Sequence, residues 1–468
     1  MQAVGQQTGK QPAAMNKKFG EEPVALGALS PTESALENQR IGGLQIGVLV
    51  MCTLVQICDG YDINSVAWAV PSLIHAWKLP PQAFTEAFLW SSIGILVGAL
   101  AAGPIGDRLG RRPLLLISLA IFGVASLLSA IAGSMIMLSV LRFFTGVGIA
   151  GGFSGATALT GDYTPQRRRA LMIMISFTGA PLGGFVGGQA VAALLPHFGW
   201  PVIFVIGGGF PLILLVALAI WLPESPRLLA ARGDLSPRQA GLLRRLGIAS
   251  GTAANHVDVA VSNPIAMLFG KGYALQTVLL WIIFFCSLMN LFLFAYWMPT
   301  VFNLMGLTPA QSVFASSLKD CGGIFAVLYL GHLIDRSGPE GPLALHYLVG
   351  AVFITLIALV ALPYAALLVV TFLAGMTIIG SQTGANATAG TLYPARMRTC
   401  GIGWALGIGR LGGIAAPVLG GYLLAHHVPP PQIFLSACLF AVIAAAATAA
   451  LRFRGSRFEG LSTVEAAE

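Results

Sequence analysis

The chain is 468 residues long, 56% hydrophobic and only 9% charged, with a formal net charge of +8. Soluble domains carry about 25% charged residues, so water is excluded as the main solvent of this chain, and a soluble enzyme is excluded with it. The basic excess needs no nucleic-acid partner once it is placed by topology.

A helix crossing the hydrocarbon core needs about 20 mostly apolar residues. Taken in order, residues 1–43 read as a polar cytoplasmic tail holding Lys10, Lys17, Lys18, Glu21 and Glu22. No apolar stretch with a cleavage site precedes the first apolar run, so no removed signal peptide is expected. Runs at 44–66, 86–106, 113–133, 137–160, 170–193 and 201–222 form a first group of six spans. A polar cytoplasmic segment at 223–275 follows, and runs at 276–297, 310–332, 343–362, 365–389, 401–424 and 432–451 form a second group of six. Residues 452–468 close the chain as a second tail. The expected fold class is an all-α membrane protein of twelve transmembrane helices in two six-helix halves, 44–222 and 276–451.

Orientation follows from the basic residues, because cytoplasmic loops retain them. Of the 26 Lys and Arg, 22 fall in the two tails and every second loop, and Lys78 alone lies in the opposite loops. Both termini are therefore expected in the cytoplasm. Arg142, Lys319 and Arg410 remain inside predicted spans. The six cysteines lie in or beside apolar runs without a C-x-x-C spacing and read as packing residues. No histidine pair has metal-ligand spacing, and no cofactor is expected.

The chain repeats itself. GPIGDRLGRRP after the second span maps onto GHLIDRSGPEGP after the eighth, with Gly103, Asp107, Arg108 and Gly110 matching Gly331, Asp335, Arg336 and Gly338 at one constant offset. DYTPQRRRA from Asp162 is echoed by LYPARMRTCG from Leu392. Parallel halves of this kind are one transporter plan, with substrate held near the midplane between them.

At these residues the chain resembles the major facilitator superfamily, whose signature between the second and third spans fits GPIGDRLGRR. LPESPR (Leu222 to Arg227) and YPARMRTCGIGW (Tyr393 to Trp404) are further signatures. The Arg108, Arg111 and Arg112 cluster reads by itself as a topogenic stop. The resemblance implies a gate as well: Asp107 and these arginines, with Asp162, Asp335 and Arg336, clamp and release the cytoplasmic ends of the halves, and Gly103 and Gly110 permit a tight turn and close helix approach. CDGYDINSVAWAVPSL in the first span resembles the D-G-x-D segment of the aromatic acid:proton symporters, the 4-hydroxybenzoate and benzoate carriers. LRFFTGVGIAGG, FAYWMPTVFNLMG and GWALGIGRLGGIAAPVLGG extend that resemblance across the membrane region. It implies a multi-pass protein of a bacterial inner membrane, with a monomer as the expected state.

The midspan charges carry the chemistry. Asp59 and Asp62 are three apart and share one face of the first helix, and Arg142 enters the fourth span to about the same depth. A charge in hydrocarbon costs about 2.5–3.5 kcal/mol on insertion scales, so such residues face a cavity and a partner. A carboxylate pair opposite one or two arginines in a central chamber is the economical arrangement, and it would titrate as a coupled pair, as suits a proton carrier. The alternative is that these charges form buried salt bridges that only fix helix packing. Arg410, in the other half, is the candidate to grip a substrate carboxylate bidentately. Lys319 and Asp320 read as a local ion pair, an anion contact or a coupling site, and the resemblance prescribes no lysine there. Asn290, Gln382 and Asn386 are candidates to hydrogen-bond a ring hydroxyl, or packing contacts between helices. Trp68, Tyr296 and Trp297 read as interfacial belt residues ahead of ring-stacking walls, and GAPLGGFVGG (Gly179 to Gly188) as a close-packing surface.

The expected function is proton-coupled import of an aromatic carboxylate, with the bilayer, the acid and protons as the only partners. Symport or export of another organic acid or sugar-like metabolite stays open, as does a transporter-derived sensor. An enzyme is not expected, since no nucleophile, base and metal constellation is present.

Overall fold

The computed structural model describes residues 41–231, 235–246, 248, 268–270, 273–393 and 395–465. These residues contain no strand and form fifteen α-helices. They are α1 (Gly43–Trp77), α2 (Thr85–Leu109), α3 (Arg111–Ser129), α4 (Met135–Tyr163), α5 (Gln166–Phe177), α6 (Gly179–Phe198), α7 (Pro201–Trp221), α8 (Pro226–Ala231) and α9 (Pro237–Arg245). After the central segment come α10 (Ala274–Leu304), α11 (Pro309–Ser337), α12 (Glu340–Leu359), α13 (Tyr364–Leu392), α14 (Ala395–Ala425) and α15 (Ile433–Glu465). Twelve spans among them are long and apolar enough to cross a membrane.

Local chemistry sets the ends. Thr308 and Gln311 form a reciprocal capping box with Pro309 at the first position of α11, and the Ser134 hydroxyl accepts from the Met137 N–H at the start of α4; both satisfy donors that a helix start leaves orphaned. Gly110 turns α2 into α3 at φ +116°, in a region open to glycine.

Three edges differ from the apolar runs. The first run ends at 66, whereas α1 continues through Pro71 to Trp77. The Val66–Leu73 stretch is buried against neighbours, and packed neighbours let a membrane helix tolerate the hydrogen bond that proline removes. The fifth run, 170–193, is divided at Thr178 into α5 and α6, because Pro181 cannot donate to the carbonyl of Phe177. The last helix passes beyond the apolar run at 451 and continues to Glu465, where a tail had been expected.

The apolar core divides by level. Toward the end that holds the start of α1, Val48 and Cys52 pack with Tyr163, Leu218, Leu229 and Leu243, all from the first six spans and the segment after them. At the same end, Phe284, Tyr347, Tyr393 and Leu451 form a separate core of the last six. At the opposite end one continuous core joins Trp68, Phe88 and Phe204 to Phe294, Trp297 and Phe434. The two groups therefore meet at the end away from the termini, through α1 with α10, α6 with α11 and α2 with α14. Trp68, Tyr296 and Trp297, expected in an interfacial belt, are buried in this joint core. Tyr296 stacks on Phe88 with centroids 4.7 Å apart and shares a 3.1 Å hydrogen bond with Ser92. Tyrosine and tryptophan suit a membrane interface and a helix seam equally, and here the seam takes them.

Candidate functional site

The first-half charges resolve into one pair and one unpaired acid. Arg142 is 0% exposed. Its guanidinium donates to Asp62 Oδ1 and Oδ2 at 3.1 and 3.3 Å and to the Ser129 hydroxyl at 2.8 Å, and it lies 5.0 Å from the Phe204 ring centre. Asp62 also accepts from Ser126 and Ser65, each at 3.2 Å. Asp59 is buried, and neither of its carboxylate oxygens has a hydrogen-bond partner among the described residues. The expected joint pair opposite an arginine is thus split. Three residues along a helix leave side chains about 60° apart, enough to aim at different neighbours. Asp62 meets α3 and α4, while Asp59 Oδ1 lies beside Gly152, 3.7 Å from where a Cβ would stand.

A second ion pair sits between the two groups. Lys319 Nζ donates to Asp320 Oδ2 at 2.7 Å and to Asn64 Oδ1 of α1 at 2.9 Å. Asn64 is itself oriented by donating its Nδ2 to the Gly60 carbonyl at 2.9 Å. Lys319, Asp320 and Asn64 line a cavity of about 140 Å³ whose other walls include Ile63, Pro181, Leu291, Phe292 and Ile379. Glycines let the helices close in here. A Cβ on Gly184 would stand 2.5 Å from Asp320 Oδ2, and one on Gly183 would stand 2.0 Å from the Ile57 carbonyl. The close-packing reading of GAPLGGFVGG agrees with this geometry. One turn further, Gln189 Nε2 donates to the Ser317 hydroxyl across the same seam at 2.7 Å.

Arg410 lies midway along α14, partly buried, with no ion pair or hydrogen bond among the described residues. Gln382 is partly buried, and its buried Oε1 has no partner among them; Asn386, one turn on, is exposed. Asn290 is turned away from the chamber, its amide set between the Ala437 carbonyl and the Ala441 N–H of α15 at 2.8 and 3.3 Å.

At the termini-bearing end, Asp107 pairs with Arg111 at 2.9 Å. Glu224 of LPESPR accepts from the backbone N–H groups of Arg111 and Arg112 at 3.1 and 3.2 Å, a carboxylate at a helix N-terminus. Asp162 accepts from Ser225 at 2.6 Å and lies 3.6 Å from Arg227 Nε, and the Tyr163 hydroxyl donates to the Glu224 carbonyl at 2.7 Å. These contacts all stay within the first six spans and the segment after them. Arg108 and Arg336 are exposed, and the Asp335 side chain lies outside the described residues. A Cβ at Gly110 would stand 2.5 Å from Glu224 Oε2, and one at Gly103 would meet no described atom within 4 Å.

Sequence pattern flagged the charged residues and missed Asn64, Glu224, Gln189 and Ser317. Asn64 had one signal, a polar residue one turn after Gly60 inside an apolar run; Glu224 lay within a motif whose internal contacts the motif alone does not specify.

A family model described as Major Facilitator Superfamily matches residues 52–417. The gallate transporter of Pseudomonas putida is 35% identical over 403 residues, covering 85% of this chain and 90% of the relative. The 4-hydroxybenzoate transporter of the same organism is 32% identical, covering 86% and 91%, and the benzoate transport protein of Acinetobacter baylyi is 28% identical, covering 87% and 90%. Among solved structures, a D-xylose-proton symporter aligns with a TM-score of 0.67 at 17% identity, covering 86% of this chain and 97% of that one.

Proposed function

Because the chain belongs to the major facilitator superfamily and to its aromatic-acid transporters, and is a transporter rather than an enzyme, we propose that it imports an aromatic carboxylate together with protons by alternating access. Both termini face the cytoplasm of a bacterial inner membrane in this reading, supported by the Lys and Arg distribution. The arrangement described then closes the outer end and opens the chamber inward. The cluster around Asp107, Asp162 and Glu224 is the released half of the inner gate, its contacts folded back within one half.

The observation that carries the reading is the division among midspan charges. Arg142 is sealed and held through its two terminal nitrogens by Asp62 and Ser129, beside Phe204, so it serves as the fixed counter-charge of α1. Asp59 and Arg410, one in each half, have no ion pair or hydrogen bond among the described residues. A guanidinium without a partner is suited to a substrate carboxylate, which it meets through two parallel hydrogen bonds. A carboxylate that no cation or donor claims is available to carry the proton. When both are filled, the unpaired charges of the chamber cancel, which lowers the cost of passing through an occluded state. Gln382 and Asn386 supply polar contacts for ring substituents on the inward side.

Uptake into proteoliposomes tests this with labelled benzoate, 4-hydroxybenzoate, gallate and an aliphatic acid, with and without an imposed pH gradient. Uphill accumulation of the aromatic acids driven by an alkaline lumen is expected, abolished by a protonophore. Transport of the aliphatic acid alone would sink the aromatic assignment, and aromatic uptake indifferent to the gradient would sink the coupling.

A further inference from the structure

Lys319 and Asp320 are neighbours in α11, and adjacent side chains on a helix point about 100° apart and do not ordinarily meet. Their 2.7 Å ion pair is held by what surrounds it. Asn64 draws the ammonium from the α1 side at 2.9 Å, and Gly184 leaves room for the carboxylate on the α6 side. An ammonium has three donors, and two are used. Both charged groups open on a cavity whose walls are otherwise largely apolar: Ile63, Leu291, Phe292 and Ile379 suit one small ring. Around Asp320, α1 presents Asn64, α6 presents Pro181, α10 presents Phe292 and α13 presents Ile379, so Lys319 is its one charged partner among the residues lining this cavity. On α1, Asp62 is engaged elsewhere by Arg142, and Asp59 does not line the cavity. On α10, the Tyr296 hydroxyl is engaged by Ser92.

We propose that Lys319 and Asp320 form an exchange site in which the substrate carboxylate replaces the Asp320 carboxylate on Lys319 while Asp320 takes up a proton that enters from the bulk solution through chamber water. Before the exchange the site holds one ammonium and one carboxylate. Afterwards it holds the ammonium, the substrate anion and a neutral carboxylic acid. One anion and one proton have entered, and the net charge is unchanged. The exchange therefore ties anion entry to proton entry at a place additional to Arg410 and Asp59, with the ring in the apolar part of the cavity. Since the Lys319 ammonium also binds Asn64, the exchange bears directly on a hydrogen bond that joins the two six-helix groups. This inference rests on the preceding reading that the cargo is an aromatic carboxylate.

The test uses the full-length protein, with 4-hydroxybenzoate and its uncharged isostere 4-hydroxybenzamide as probes, and monodisperse elution in detergent as the check of folding. Binding of 4-hydroxybenzoate to the unaltered protein is expected to tighten from mildly alkaline to mildly acidic pH. Lys319→Gln should weaken that binding about tenfold or more, the usual scale of a lost charge-assisted hydrogen bond, and leave the amide unaffected; Lys319→Arg should restore much of it. Asp320→Asn should flatten the pH dependence, hold affinity at alkaline pH at or above that of the unaltered protein, and lower by one the protons carried per substrate. Unchanged anion binding in Lys319→Gln, or an unchanged pH dependence in Asp320→Asn, overturns the exchange site. An unaltered protein that neither binds nor moves any aromatic carboxylate overturns the functional reading itself, a result distinct from both.

Discussion

Two carboxylates one turn apart in α1 differ in what they touch, and that difference predicts different failures on neutralisation. Asp62→Asn leaves the Arg142 guanidinium, 0% exposed, without its counter-charge. Breaking a buried pair costs about 3–5 kcal/mol, so the melting temperature in detergent and the folded yield should both fall. Asp59→Asn replaces one of two oxygens to which nothing among the described residues donates. Its stability should hold, and gradient-driven accumulation of 4-hydroxybenzoate should be lost while counterflow exchange persists. Wild-type accumulation by Asp59→Asn would remove that residue from the coupling. Asp59, Asp62, Arg142, Lys319 and Arg410 stand out in the sequence, because an ionised group is conspicuous in an apolar run. That Arg142 takes Asp62 rather than Asp59, and that Lys319 also binds Asn64, was not legible there, since these are contacts between helices distant in the chain.

Spans were legible as elements because hydropathy reports which residues the bilayer can hold. Their edges were less so: helix hydrogen bonding does not stop where apolarity stops, hence α1 running to Trp77 and α15 to Glu465. The break at Thr178 was hidden inside one apolar run, although Pro181 is its cause. Helix contacts at glycines give the sharpest test at this scale. Gly183 lies where an added methyl would stand 2.0 Å from the Ile57 backbone carbonyl, an atom that cannot rotate aside. Gly183→Ala should therefore push α6 from α1 and destabilise by about 1–3 kcal/mol, the usual range for overpacking. Gly103→Ala meets open space and should leave the melting temperature unchanged. A Gly183→Ala protein as stable as its parent would show that α1 and α6 are not packed so closely. A destabilised Gly103→Ala would show that the end of α2 is in close contact in the prevailing state.

The two terminal-end cores and the single joint core together describe two six-helix groups packed against each other at one end, and this was the least legible level. Apolar residues fill both ends of every span, so hydropathy does not say at which end the two groups meet. The polar seam does: Gln189 with Ser317 at 2.7 Å, Ser92 with Tyr296 at 3.1 Å and Lys319 with Asn64 at 2.9 Å all cross between the groups away from the termini. If transport requires this seam to part, tying it should stop turnover and spare access from the other end. In a background lacking the six native thiols, Gln189→Cys with Ser317→Cys, joined by a short bifunctional thiol reagent, should lose uptake and regain it when a cleavable linker is cut. A third cysteine at the exposed Asn386 position should still react with an impermeant reagent added from the cytoplasmic face, because that end stays open while the seam is tied. Uptake at the uncross-linked rate with the seam joined would mean that the halves do not separate there, and the rocking mechanism would fail for this protein. Labelling of position 386 from the outer face alone would instead reverse the orientation, and with it the assignment of this arrangement as inward-open.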